Sequence, residues 1–381
     1  MSDQKLRVLH VLEATLGGTR RYLEDIVATT VDTTLVQGLV YGISRSDSGF
    51  PGLLASAQSN RWILYPVPPM RRPIHPAADA QSIALTRKAI RNFRPDILHV
   101  HSAKGGAIGR IAAQTNWPNA PRVIYSPHAL PSRLGRSFMA TERILALITS
   151  RFMAVSESER REIIAERIAP KTNIDVVYPR IDTGYFRPRN QQEARHQLGI
   201  PQNDPIVIGV GRLAPQKDPV GFVATIAQVR TSNPTVSGIW VGDGEMRTEV
   251  IAMAKQLGVS KNLQITGWVD DVRPYIAASD ILLSTSRYES FGYVIPEAFS
   301  MERPVVASRI TGTIDVVFPE AESLLYLPSD ITQATIALRR LIDNEALRRE
   351  LGSLGRASVM QRFSDSAMRT ALCTSYHAVL T

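Results

Sequence analysis

The stretch ILLSTSRYESFGYVIPEAFS, residues 281–300, joins a short apolar run to a turn and then to a second apolar segment. The run ILLSTS is typical of a buried strand, and the pair Phe291-Gly292 predicts the turn. Pro296 suits the first turn of a helix, because the N–H that proline lacks would have no partner there. The stretch therefore predicts a strand, a turn and a helix in succession.

The same strand-then-helix unit recurs on both sides of this stretch. Nearly all-apolar runs alternate with segments of helical spacing, which is the pattern of a parallel sheet buried on both faces. The predicted strands are LRVLHVLEA, DILHVHSA, PRVIYSP, RFMAVS and IDVVYP in the first half, and PIVIGVGRL, VSGIWVGDG, NLQITGW, ILLSTS, PVVASRI and SLLYLP in the second. A long apolar helix is also predicted near Met139 to Arg151, after the segment HALPSR.

The turn-rich segment YPRIDTGYFRPRN, residues 178–190, separates the two sets of strands and is the predicted linker. We expect an α/β chain of two tandem doubly wound Rossmann-like domains that face a central cleft. The predicted boundaries are residues 1–180, residues 181–365, and a C-terminal helix over residues 366–381 that packs back on the first domain. Because ligands of such sheets bind beyond the carboxyl ends of the strands, we expect the active site in the cleft.

Length and composition agree with this division. The 381 residues, 44% of them hydrophobic, are enough for two or three domains with buried cores. The single cysteine, Cys373, has no partner for an internal disulfide or a zinc cluster, which favours a reducing compartment. The N-terminal apolar run is too short for a signal peptide, and no stretch approaches the ~18 apolar residues of a membrane span. We therefore expect a cytoplasmic protein.

The positive charge is unevenly distributed along the chain. Residues 1–185 hold 24 Lys and Arg against 15 Asp and Glu, whereas the rest of the chain holds 20 of each. All of the net charge of +9 therefore lies in the first half. Such asymmetry indicates an acidic partner, namely nucleic acid, anionic lipid or a phosphorylated substrate, and its alternative is a solvated basic surface without a special partner.

Two glutamates, Glu289 and Glu297, lie eight positions apart around the predicted turn. Such a pair suits either the acid/base chemistry that breaks a glycosidic bond or the binding of a sugar through its hydroxyls. Glu297 falls in the first helical turn, where the helix dipole favours a carboxylate and free N–H groups suit an anion. Its structural alternative is an ordinary glutamate at a helix start.

Two cations, Arg212 and Lys217, lie on the loop GVGRLAPQKDP that leaves a predicted strand. Fixed cations at this position can clamp a diphosphate and neutralise the charge that develops as a phosphate leaves. Taken alone, such a pair is more often a set of surface charges. The segment lacks the G-x-x-x-x-G-K-[ST] spacing of a Walker loop, and the glycines of WVGDGEMR predict no more than a tight turn.

The segment YESFGYVIPEA resembles the E-x7-E element of the retaining nucleotide-sugar glycosyltransferases of family 4, which are of the two-Rossmann-domain (GT-B) type. The likeness covers nearly the whole chain. Its elements occur in that family's order: Gly17-Gly18, HSAKGGAIGRIAA, the histidine of YSPHAL, VSESERREI, GRLAPQKD, GDGEMR, GWVDDVRPYIAASDILLSTS and PVVAS. The combination is specific, although each piece alone is weak.

In the second half, the resemblance assigns the donor-binding residues. Arg212 and Lys217 match the pair that holds the diphosphate of the donor. Glu297 matches the glutamate that binds the ribose hydroxyls of the nucleotide. The donor-sugar contacts are matched by Glu289 together with the backbone of Ser290, Phe291 and Gly292. The two glutamates are thereby expected to hold the donor and not to act as the acid/base pair of a hydrolase.

In the first half, the resemblance assigns Gly17 and Gly18 to a flexible loop that approaches the donor phosphates. It assigns His128 to a histidine in the cleft, near the reacting face of the sugar. His128, Glu289, Arg212 and Lys217 are thus the expected catalytic residues. The implied reaction moves a hexose from a nucleotide diphosphate sugar, UDP favoured over GDP, to a hydroxyl of a lipid-linked glycan in cell-surface polysaccharide assembly.

The implied chemistry needs little proton donation, because a nucleotide diphosphate is already a good leaving group. Positive charge on the phosphates and orientation of the acceptor hydroxyl are required, and Arg212, Lys217 and helix N–H groups supply the charge. We therefore expect no metal and no other cofactor. In the family, the product keeps the anomeric configuration of the donor, by front-face attack in which the departing phosphate takes the proton of the acceptor.

The chain departs from the family pattern at two places. It reads TGTID, residues 311–315, where the family often has Gly-Gly-x-Pro-Glu, which leaves the donor-sugar contacts open. It reads Pro179-Arg180 where the family often has Asn-Gly, a change that falls in the predicted linker and bears on hinge behaviour more than on chemistry.

The segment RWILYPVPPMRRPIHP, residues 61–76, combines aromatic, arginine and proline residues. Aromatic residues beside arginines suit the interface of an anionic membrane, and the segment LPSRLGRSFMATERILALITSRF adds further arginines, including Arg133. We expect a peripheral enzyme at the inner face of the plasma membrane. The candidate acceptor and membrane residues are Arg61, Trp62, Arg71, Arg72 and Lys104. The alternative reading places Trp62 in the core and leaves the arginines solvated.

Two other functions fit parts of the sequence. A nucleotide-sugar epimerase would keep the fold, and a non-catalytic protein would use the basic half to bind nucleic acid or a membrane. No helix-turn-helix, zinc or RNA-binding signature supports nucleic acid, so we expect no nucleic-acid partner. A dehydrogenase lacks its G-x-G-x-x-G after the first strand.

Overall fold

The computed structural model describes residues 5–31, 35–115, 118, 120–129 and 135–380. The chain divides into two compact units, Met1–Arg180 with Asp365–Thr381, and Ile181–Ser364. The chain therefore leaves the first unit directly after Arg180, within the predicted linker, and returns to it with its last helix.

The first unit is built on a parallel sheet of seven described strands in the order β3-β2-β1-β4-β5-β6-β7. The strands are β1 Leu6–Leu12, β2 Leu35–Tyr41, β3 Ile63–Pro66, β4 Ile97–His101, β5 Arg122–Ser126, β6 Arg151–Ala154 and β7 Ile174–Val176. The helices are α1 Gly17–Thr29, α2 Phe50–Ser59, α3 Pro76–Phe93, α4 Ala103–Gln114, α5 Arg136–Ala146 and α6 Glu157–Ala165, with a 3₁₀ turn at Lys171–Asn173. The central strands β1 and β4 are buried almost throughout, as parallel strands covered on both faces must be.

The second unit repeats the arrangement with a parallel sheet of six described strands in the order β10-β9-β8-β11-β12-β13. The strands are β8 Ile206–Val210, β9 Ser237–Val241, β10 Leu263–Ile265, β11 Ile281–Ser284, β12 Val305–Ser308 and β13 Leu325–Tyr326. The helices of this unit are α7 Gln191–Leu198, α8 Pro219–Arg230, α9 Arg247–Gln256, α10 Arg273–Ala278, α11 Val294–Ser300, α12 Thr313–Val316, α13 Ile331–Ile342 and α14 Glu345–Arg362. Two 3₁₀ segments lie at Ser260–Asn262 and Pro319–Leu324.

The last helix, α15, spans Asp365–Ala378 and belongs to the first unit. Its Tyr376 is fully buried, and the Tyr376 hydroxyl lies 2.9 Å from Nδ1 of His99 on β4. Ser375 Oγ donates a hydrogen bond of 2.6 Å to the carboxylate of Asp175 on β7. Arg180 contacts the helix start through an ion pair of 2.8 Å with Asp365. The chain thus closes the first unit with its own C-terminus.

The prediction of two parallel-sheet Rossmann-like domains is confirmed, with differences in detail. The helix expected near Met139 to Arg151 ends at Ala146, and Arg151 is the first residue of β6. Residues 130–133 of the segment HALPSR, Arg133 among them, lie outside the described residues. None of the described helices combines the length and the apolar composition that crossing a membrane requires.

The loops that follow β8 and β9 pack against each other through their backbones. The N–H of Gly211 donates to the carbonyl of Val241 at 3.0 Å, and the N–H of Leu213 donates to the carbonyl of Asp243 at 2.9 Å. Gly242 has a φ of +135°, and a Cβ placed there would lie 2.2 Å from the carbonyl oxygen of Gly211. Only glycine therefore fits at residue 242, and the sequence signal of the G-D-G turn has a concrete packing reason.

We expect Gly242→Ala to lower the free energy of unfolding by about 3 kcal/mol, because the new methyl group overlaps the Gly211 backbone and the φ angle is strained. Gly258→Ala is the control, because Gly258 has a φ of +71° but open space around it. It should cost only about 1 kcal/mol for the left-handed backbone. Urea unfolding followed by circular dichroism measures both, and equal losses would contradict the packing argument.

Candidate active site

The carboxyl edge of the second sheet gathers the residues predicted to bind the donor. Strands β8 and β11 are parallel neighbours, with Val207 opposite Ile281 and Ile208 opposite Leu282. Because parallel neighbours end at the same edge, the loop after β8 and the loop after β11 leave side by side. The first loop carries Arg212 and Lys217, and the second carries Glu289.

Lys217 and Glu289 form an ion pair although they are 72 positions apart in the chain. The Lys217 side chain lies against the backbone of Gly211, where a Cβ would approach its Cε to 3.0 Å. Ser286 Oγ donates a hydrogen bond of 2.8 Å to the same Glu289 oxygen, Oε1. Gln216 Nε2 donates to the carbonyl of Tyr288 at 3.1 Å. The structure therefore brings two predicted site residues into direct contact and holds both from several sides.

The backbone that presents Lys217 is fixed by a neighbouring threonine. Thr285 Oγ1 lies within hydrogen-bond distance of the carbonyls of Lys217, at 2.8 Å, and Asp218, at 2.9 Å. Asp218 is buried, adopts a left-handed φ of 47° and forms an ion pair of 3.1 Å with Arg287. These contacts tie the loop after β8 to the loop after β11 at a second point.

Arg212 lies at the rim of the same edge. Its side chain is 56% exposed and lies 3.8 Å from the carboxylate of Glu245, an equally exposed residue. An exposed pair at this distance contributes little to stability, so the guanidinium can turn toward an incoming anion at small cost. Arg212 and Lys217 thus lie on one loop, and their two positive charges suit a phosphate.

The turn Ser290-Phe291-Gly292 follows Glu289 and rests on Gly312. Gly312 has a φ of +84°, and a Cβ there would lie 2.8 to 2.9 Å from backbone atoms of Glu289, Ser290 and Phe291. The Phe291 ring is buried, edge-on to Phe363 at 5.3 Å, so the ring itself does not face a ligand. In TGTID, the segment where this chain departs from the family pattern, Gly312 is thus the residue that supports the turn. The sequence did not reveal this role.

Glu297 lies in the first turn of α11, as predicted, and is only 3% exposed. A carboxylate buried this deeply must be hydrogen-bonded, which suits a residue that holds a partner.

His128 follows β5 at the carboxyl edge of the first sheet. It has a left-handed φ of 58°, and Ala129 after it has a φ of 143°. Its Nε2 lies 3.1 Å from Nδ1 of His101, and the edge of the Tyr22 ring packs against it at 4.9 Å. Burial lowers the pKa of His128 to about 3, so the ring is neutral at pH 7.

Gly17 and Gly18, predicted in a flexible loop, are the first two residues of α1. The N–H of Gly17 donates a hydrogen bond of 2.9 Å to the Asp47 carboxylate, which also pairs with Arg20 at 2.7 Å. The two glycines that the resemblance assigns to a loop near the donor phosphates thus begin a helix, and a carboxylate contacts its first N–H, so a phosphate binding there would have to displace Asp47.

The residues predicted for an acceptor or a membrane fall into different environments. Trp62 is 6% exposed and stacks on His10 with ring centroids 5.0 Å apart, so its assignment to a membrane interface was wrong. Lys104 pairs with Asp79 at 2.6 Å. Arg61, Arg71 and Arg72 are exposed, and Arg61 has a left-handed φ of 62°.

A carboxylate that the sequence did not single out lies among these cations. Glu13 follows β1, is buried and pairs with Arg45 at 3.2 Å. Burial raises the pKa of Glu13, whereas the positive charges of Arg45, Arg72 and Lys104 oppose this increase. The carboxyl edge of the first sheet therefore combines one buried carboxylate with three cations, a setting that suits an anionic group that also carries hydroxyls.

Another residue missed by the sequence reasoning is Trp268, which is 71% exposed. It follows Gly267, which bridges to Gly242 beside the Arg212 loop. An exposed tryptophan at the edge of the loop that is predicted to bind phosphate offers a stacking surface for a planar ring. The motif GWVDD contained the residue, but no local signal separated it from a buried aromatic.

Within the described residues, His10, His99 and His101 form a group whose ligand atoms lie within 4.8 Å of one another. Both ring nitrogens of His99 already have partners, the Tyr376 hydroxyl and the Ser126 hydroxyl, each at 2.9 Å. A metal ion would have to break one of these buried contacts, so the arrangement does not fit a metal centre.

Two family models match the chain one after the other. The model described as Glycosyltransferase Family 4 matches residues 40–185, and the model described as Glycosyl transferases group 1 matches residues 190–358. Together they account for most of both structural units.

Relatives over most of the chain are glycosyltransferases. The UDP-Gal:alpha-D-GlcNAc-diphosphoundecaprenol alpha-1,3-galactosyltransferase of Escherichia coli is 28% identical over 298 residues, 74% of this chain and 75% of that protein. The D-inositol 3-phosphate glycosyltransferase of Segniliparus rotundus is 33% identical over 245 residues, 61% of this chain and 53% of that protein. The Anabaena protein Alr3699/HepE, solved in complex with UDP and glucose, superposes with a TM-score of 0.81 at 21% identity, covering 98% of this chain and all of that one.

The buried carboxyl group of Glu159, on α6, makes the free energy of unfolding depend on pH. Burial raises the pKa of Glu159 to about 7. Hydrogen bonds from the backbone amides of Val155 and Ala129 favour the carboxylate and oppose this increase. Between pH 4.5 and 7 the folded chain therefore holds a proton that the unfolded chain has lost. This contribution to the free energy of unfolding is present below that window and is lost as the pH rises through it.

We expect Glu159→Gln to remove this loss. Relative to the wild type, the variant should gain stability between pH 5 and pH 7.5, by at most about 3 kcal/mol. Urea unfolding of both proteins at the two pH values measures the difference. Parallel pH profiles for the two proteins would refute the assignment.

Proposed function

We propose that this chain, which belongs to the GT-B glycosyltransferases of family 4 type, is a retaining enzyme that transfers a hexose from a nucleotide diphosphate sugar to a lipid-linked glycan. The observation that carries the proposal is the contact of Lys217 with Glu289 at the carboxyl edge of the second sheet, on the loop that also carries Arg212. In the proposed reaction Lys217 and Arg212 neutralise the diphosphate as it departs, and the charge is supplied without a metal ion or another cofactor.

The environment of the two glutamates supports a holding role. Glu289 already contacts Lys217 and Ser286, and Glu297 is buried in α11. A hydrolase needs one carboxyl group with a raised pKa and a second that reaches the reacting carbon or its water. We assign Glu289 to the donor sugar, together with the backbone of the turn that follows it, and Glu297 to the ribose hydroxyls. Because neither glutamate is assigned as a nucleophile, we infer a single displacement. The acceptor hydroxyl attacks the same face of the sugar from which the diphosphate leaves, and the anomeric configuration of the donor is therefore retained.

UDP is the proposed donor nucleotide. The name of the Escherichia coli relative gives UDP-galactose as its donor, and the Anabaena protein was solved with UDP. Trp268 lies next to the glycine loops that surround Arg212 and offers a ring surface to a nucleobase. Stacking of this kind is tolerant of base identity, so it fits UDP and GDP alike, and the preference for UDP rests on the two named proteins.

The proposed acceptor is a glycan on a lipid diphosphate at the inner face of the plasma membrane. The name of the Escherichia coli relative gives a sugar linked to diphosphoundecaprenol as its acceptor. In this chain, the positive charges of Arg45, Arg72 and Lys104 act on Glu13 at the carboxyl edge of the first sheet. The cations suit the diphosphate, and the carboxylate suits a hydroxyl of the sugar attached to it.

The helix α5 supports attachment to the membrane surface. Ile144 is 66% exposed, and Leu147, which follows the helix, is 85% exposed. Arg143, next to Ile144, is also exposed; its guanidinium donates a hydrogen bond of 3.0 Å to the carbonyl of Glu166 and lies 3.5 Å from the Glu166 carboxylate. Exposed apolar side chains beside an arginine are the composition of a segment that lies in the interface of an anionic bilayer.

The donor site is tested with Lys217→Met, which keeps the length of the side chain and removes its charge. We expect UDP to bind about tenfold to a hundredfold more weakly, because one charge-assisted contact to phosphate is lost. Lys255→Met, at an exposed lysine of α9 in the same unit, is the matched control and should leave the affinity unchanged. Isothermal titration calorimetry with UDP- and GDP-sugars measures the affinities.

Glu297→Ala tests the ribose contact in the same assay. The wild type should prefer UDP over 2′-deoxy-UDP, and the variant should lose that preference. When a polyprenyl-diphosphate sugar is added as the acceptor, proton NMR of the product should show the same anomeric configuration that the sugar had in the donor. Failure to bind any UDP- or GDP-sugar would overturn the proposal, and conversion of the donor to its epimer without acceptor would favour an epimerase.

Membrane attachment is tested with the double variant Ile144→Asp/Leu147→Asp. We expect its binding to vesicles of phosphatidylglycerol and phosphatidylcholine to fall about tenfold or more, because two apolar side chains leave the interface. Ile251→Asp, at a 51% exposed position of α9, is the control. Cosedimentation measures the bound fraction, and equal binding of all three proteins would exclude α5 as the attachment segment.

A further inference from the structure

We propose that a chain of hydrogen bonds, formed by Thr30, Gln37, His10, His101 and His128, fixes His128 as the tautomer that carries its proton on Nε2. We call these five residues the polar chain. His10, His101 and Gln37 are then positioning residues, and Nδ1 of His128 is the hydrogen-bond acceptor. The tautomer follows from the structure alone, whereas its use toward a sugar hydroxyl rests on the proposed function.

The direction of the polar chain is set at the end farthest from His128. Thr30 Oγ1 lies 2.6 Å from the carbonyl oxygen of Ile26. Two oxygens so close need a hydrogen between them, and a carbonyl has none to give, so the Thr30 hydroxyl is the donor. The Thr30 oxygen is then the acceptor for Gln37 Nε2, which lies at 2.7 Å. This orients the Gln37 amide with its oxygen toward His10.

The orientation of Gln37 fixes the proton on His10. The Gln37 oxygen Oε1 lies 3.3 Å from His10 Nε2, and since an amide oxygen only accepts, His10 Nε2 must carry the hydrogen. His10 is buried, which lowers its pKa to about 4, so the ring is neutral and has a single N–H. Its Nδ1 is therefore an acceptor, and His101 Nε2, at 3.1 Å, must be the donor.

The same reasoning passes through His101 to His128. Burial, with the neighbouring histidines His99, His128 and His10 adding to it, lowers the pKa of His101 well below its ordinary value, so this ring is also neutral. With its hydrogen on Nε2, His101 accepts at Nδ1, which lies 3.1 Å from His128 Nε2. His128, neutral as well, must carry its hydrogen on Nε2 and its lone pair on Nδ1.

The packing around the polar chain keeps the rings from rotating out of it. Trp62 stacks on His10, and the edge of Tyr22 packs against His128. His99 packs on His101 with centroids 4.1 Å apart, yet its nitrogens bond to Tyr376 and Ser126, outside the polar chain. His99 therefore contributes packing and does not influence which way the hydrogens point.

This tautomer restricts what His128 can bind. A hydroxyl can donate a hydrogen bond to Nδ1, whereas a carbonyl or carboxylate oxygen would meet the nitrogen lone pair and be repelled. Any partner of His128 at Nδ1 must therefore be a hydrogen-bond donor, and a sugar hydroxyl meets that requirement. The cost of turning the tautomer is high, because three rings and an amide would have to reverse together and leave the Thr30 and Ile26 oxygens facing each other.

The tautomer is measured directly by NMR of the full-length protein labelled with ¹⁵N-histidine. A long-range ¹H–¹⁵N correlation spectrum at pH 7 distinguishes a protonated ring nitrogen from one with a lone pair, and the spectrum of His128→Gln assigns the signals of His128. We expect a protonated Nε2 and a lone pair on Nδ1. A proton on Nδ1, or on both nitrogens, would overturn the proposal whether or not the protein transfers sugars.

The dependence on the far end is tested with Gln37→Leu, which removes the acceptor of His10 Nε2–H. We expect a His128 form protonated on Nδ1 to appear, because nothing then holds the His10 proton on Nε2. Tyr376→Phe is the matched control, since it removes an equally buried hydrogen bond from His99, and it should leave the His128 spectrum unchanged. A spectrum unaltered by Gln37→Leu would mean that the tautomer is set locally and would overturn the role of the polar chain.

A kinetic readout separates the proposal from the donor site. In Gln37→Leu we expect kcat/KM for sugar transfer to fall about tenfold while the affinity for UDP is unchanged, since the nucleotide contacts lie in the second unit. An unchanged kcat/KM together with a changed tautomer would remove the functional part of the proposal. If the wild-type protein did not bind UDP, the proposed function would be contradicted, whereas the tautomer assignment would stand.

Discussion

The parallel pairing of β8 with β11 is the constraint on which the candidate site depends. These strands are far apart in the chain, yet Val207 lies opposite Ile281 and both strands end at one edge of the sheet. Their loops therefore meet, and Lys217 reaches Glu289. A parallel sheet leaves no other place for these loops, because right-handed crossovers return every strand in the same direction.

The first unit uses the same constraint to build a polar row inside a sheet. His10 on β1 lies opposite His99 on β4, and His101 lies opposite Ser126 on β5. Side chains two apart on a strand share a face, so His99 and His101 point to the same side as His10. Gln37 joins them from β2, opposite Val8. Each of these polar groups has a hydrogen-bond partner, which is the condition for burying them.

The two edges differ in the kind of chemistry they favour. In the second unit, the site combines an ion pair with an exposed arginine, which suits a charged ligand that exchanges with water. In the first unit, burial keeps the neighbouring histidines neutral, so His128 offers a hydrogen-bonding ring and not a charge. Trp62 illustrates the limit of local composition: its arginine neighbours suggested a membrane surface, but its ring packs on His10.

The sequence by itself determined the two sheets and the residues at their edges. Apolar periodicity and turn residues are local signals, and together with the motif order they are sufficient to identify Arg212, Lys217, Glu289, Glu297 and His128 as candidates. The tertiary structure alone decided which of these side chains meet, that Gly312 supports the turn after Glu289, and that Gln37 and His10 stand behind His128. The physical reason is that the order of the strands in each sheet differs from their order in the chain: β1 lies between β2 and β4, and β8 lies between β9 and β11. Which strands become neighbours is decided by the burial of whole sheet faces, and residues that are adjacent in the chain carry no signal of it.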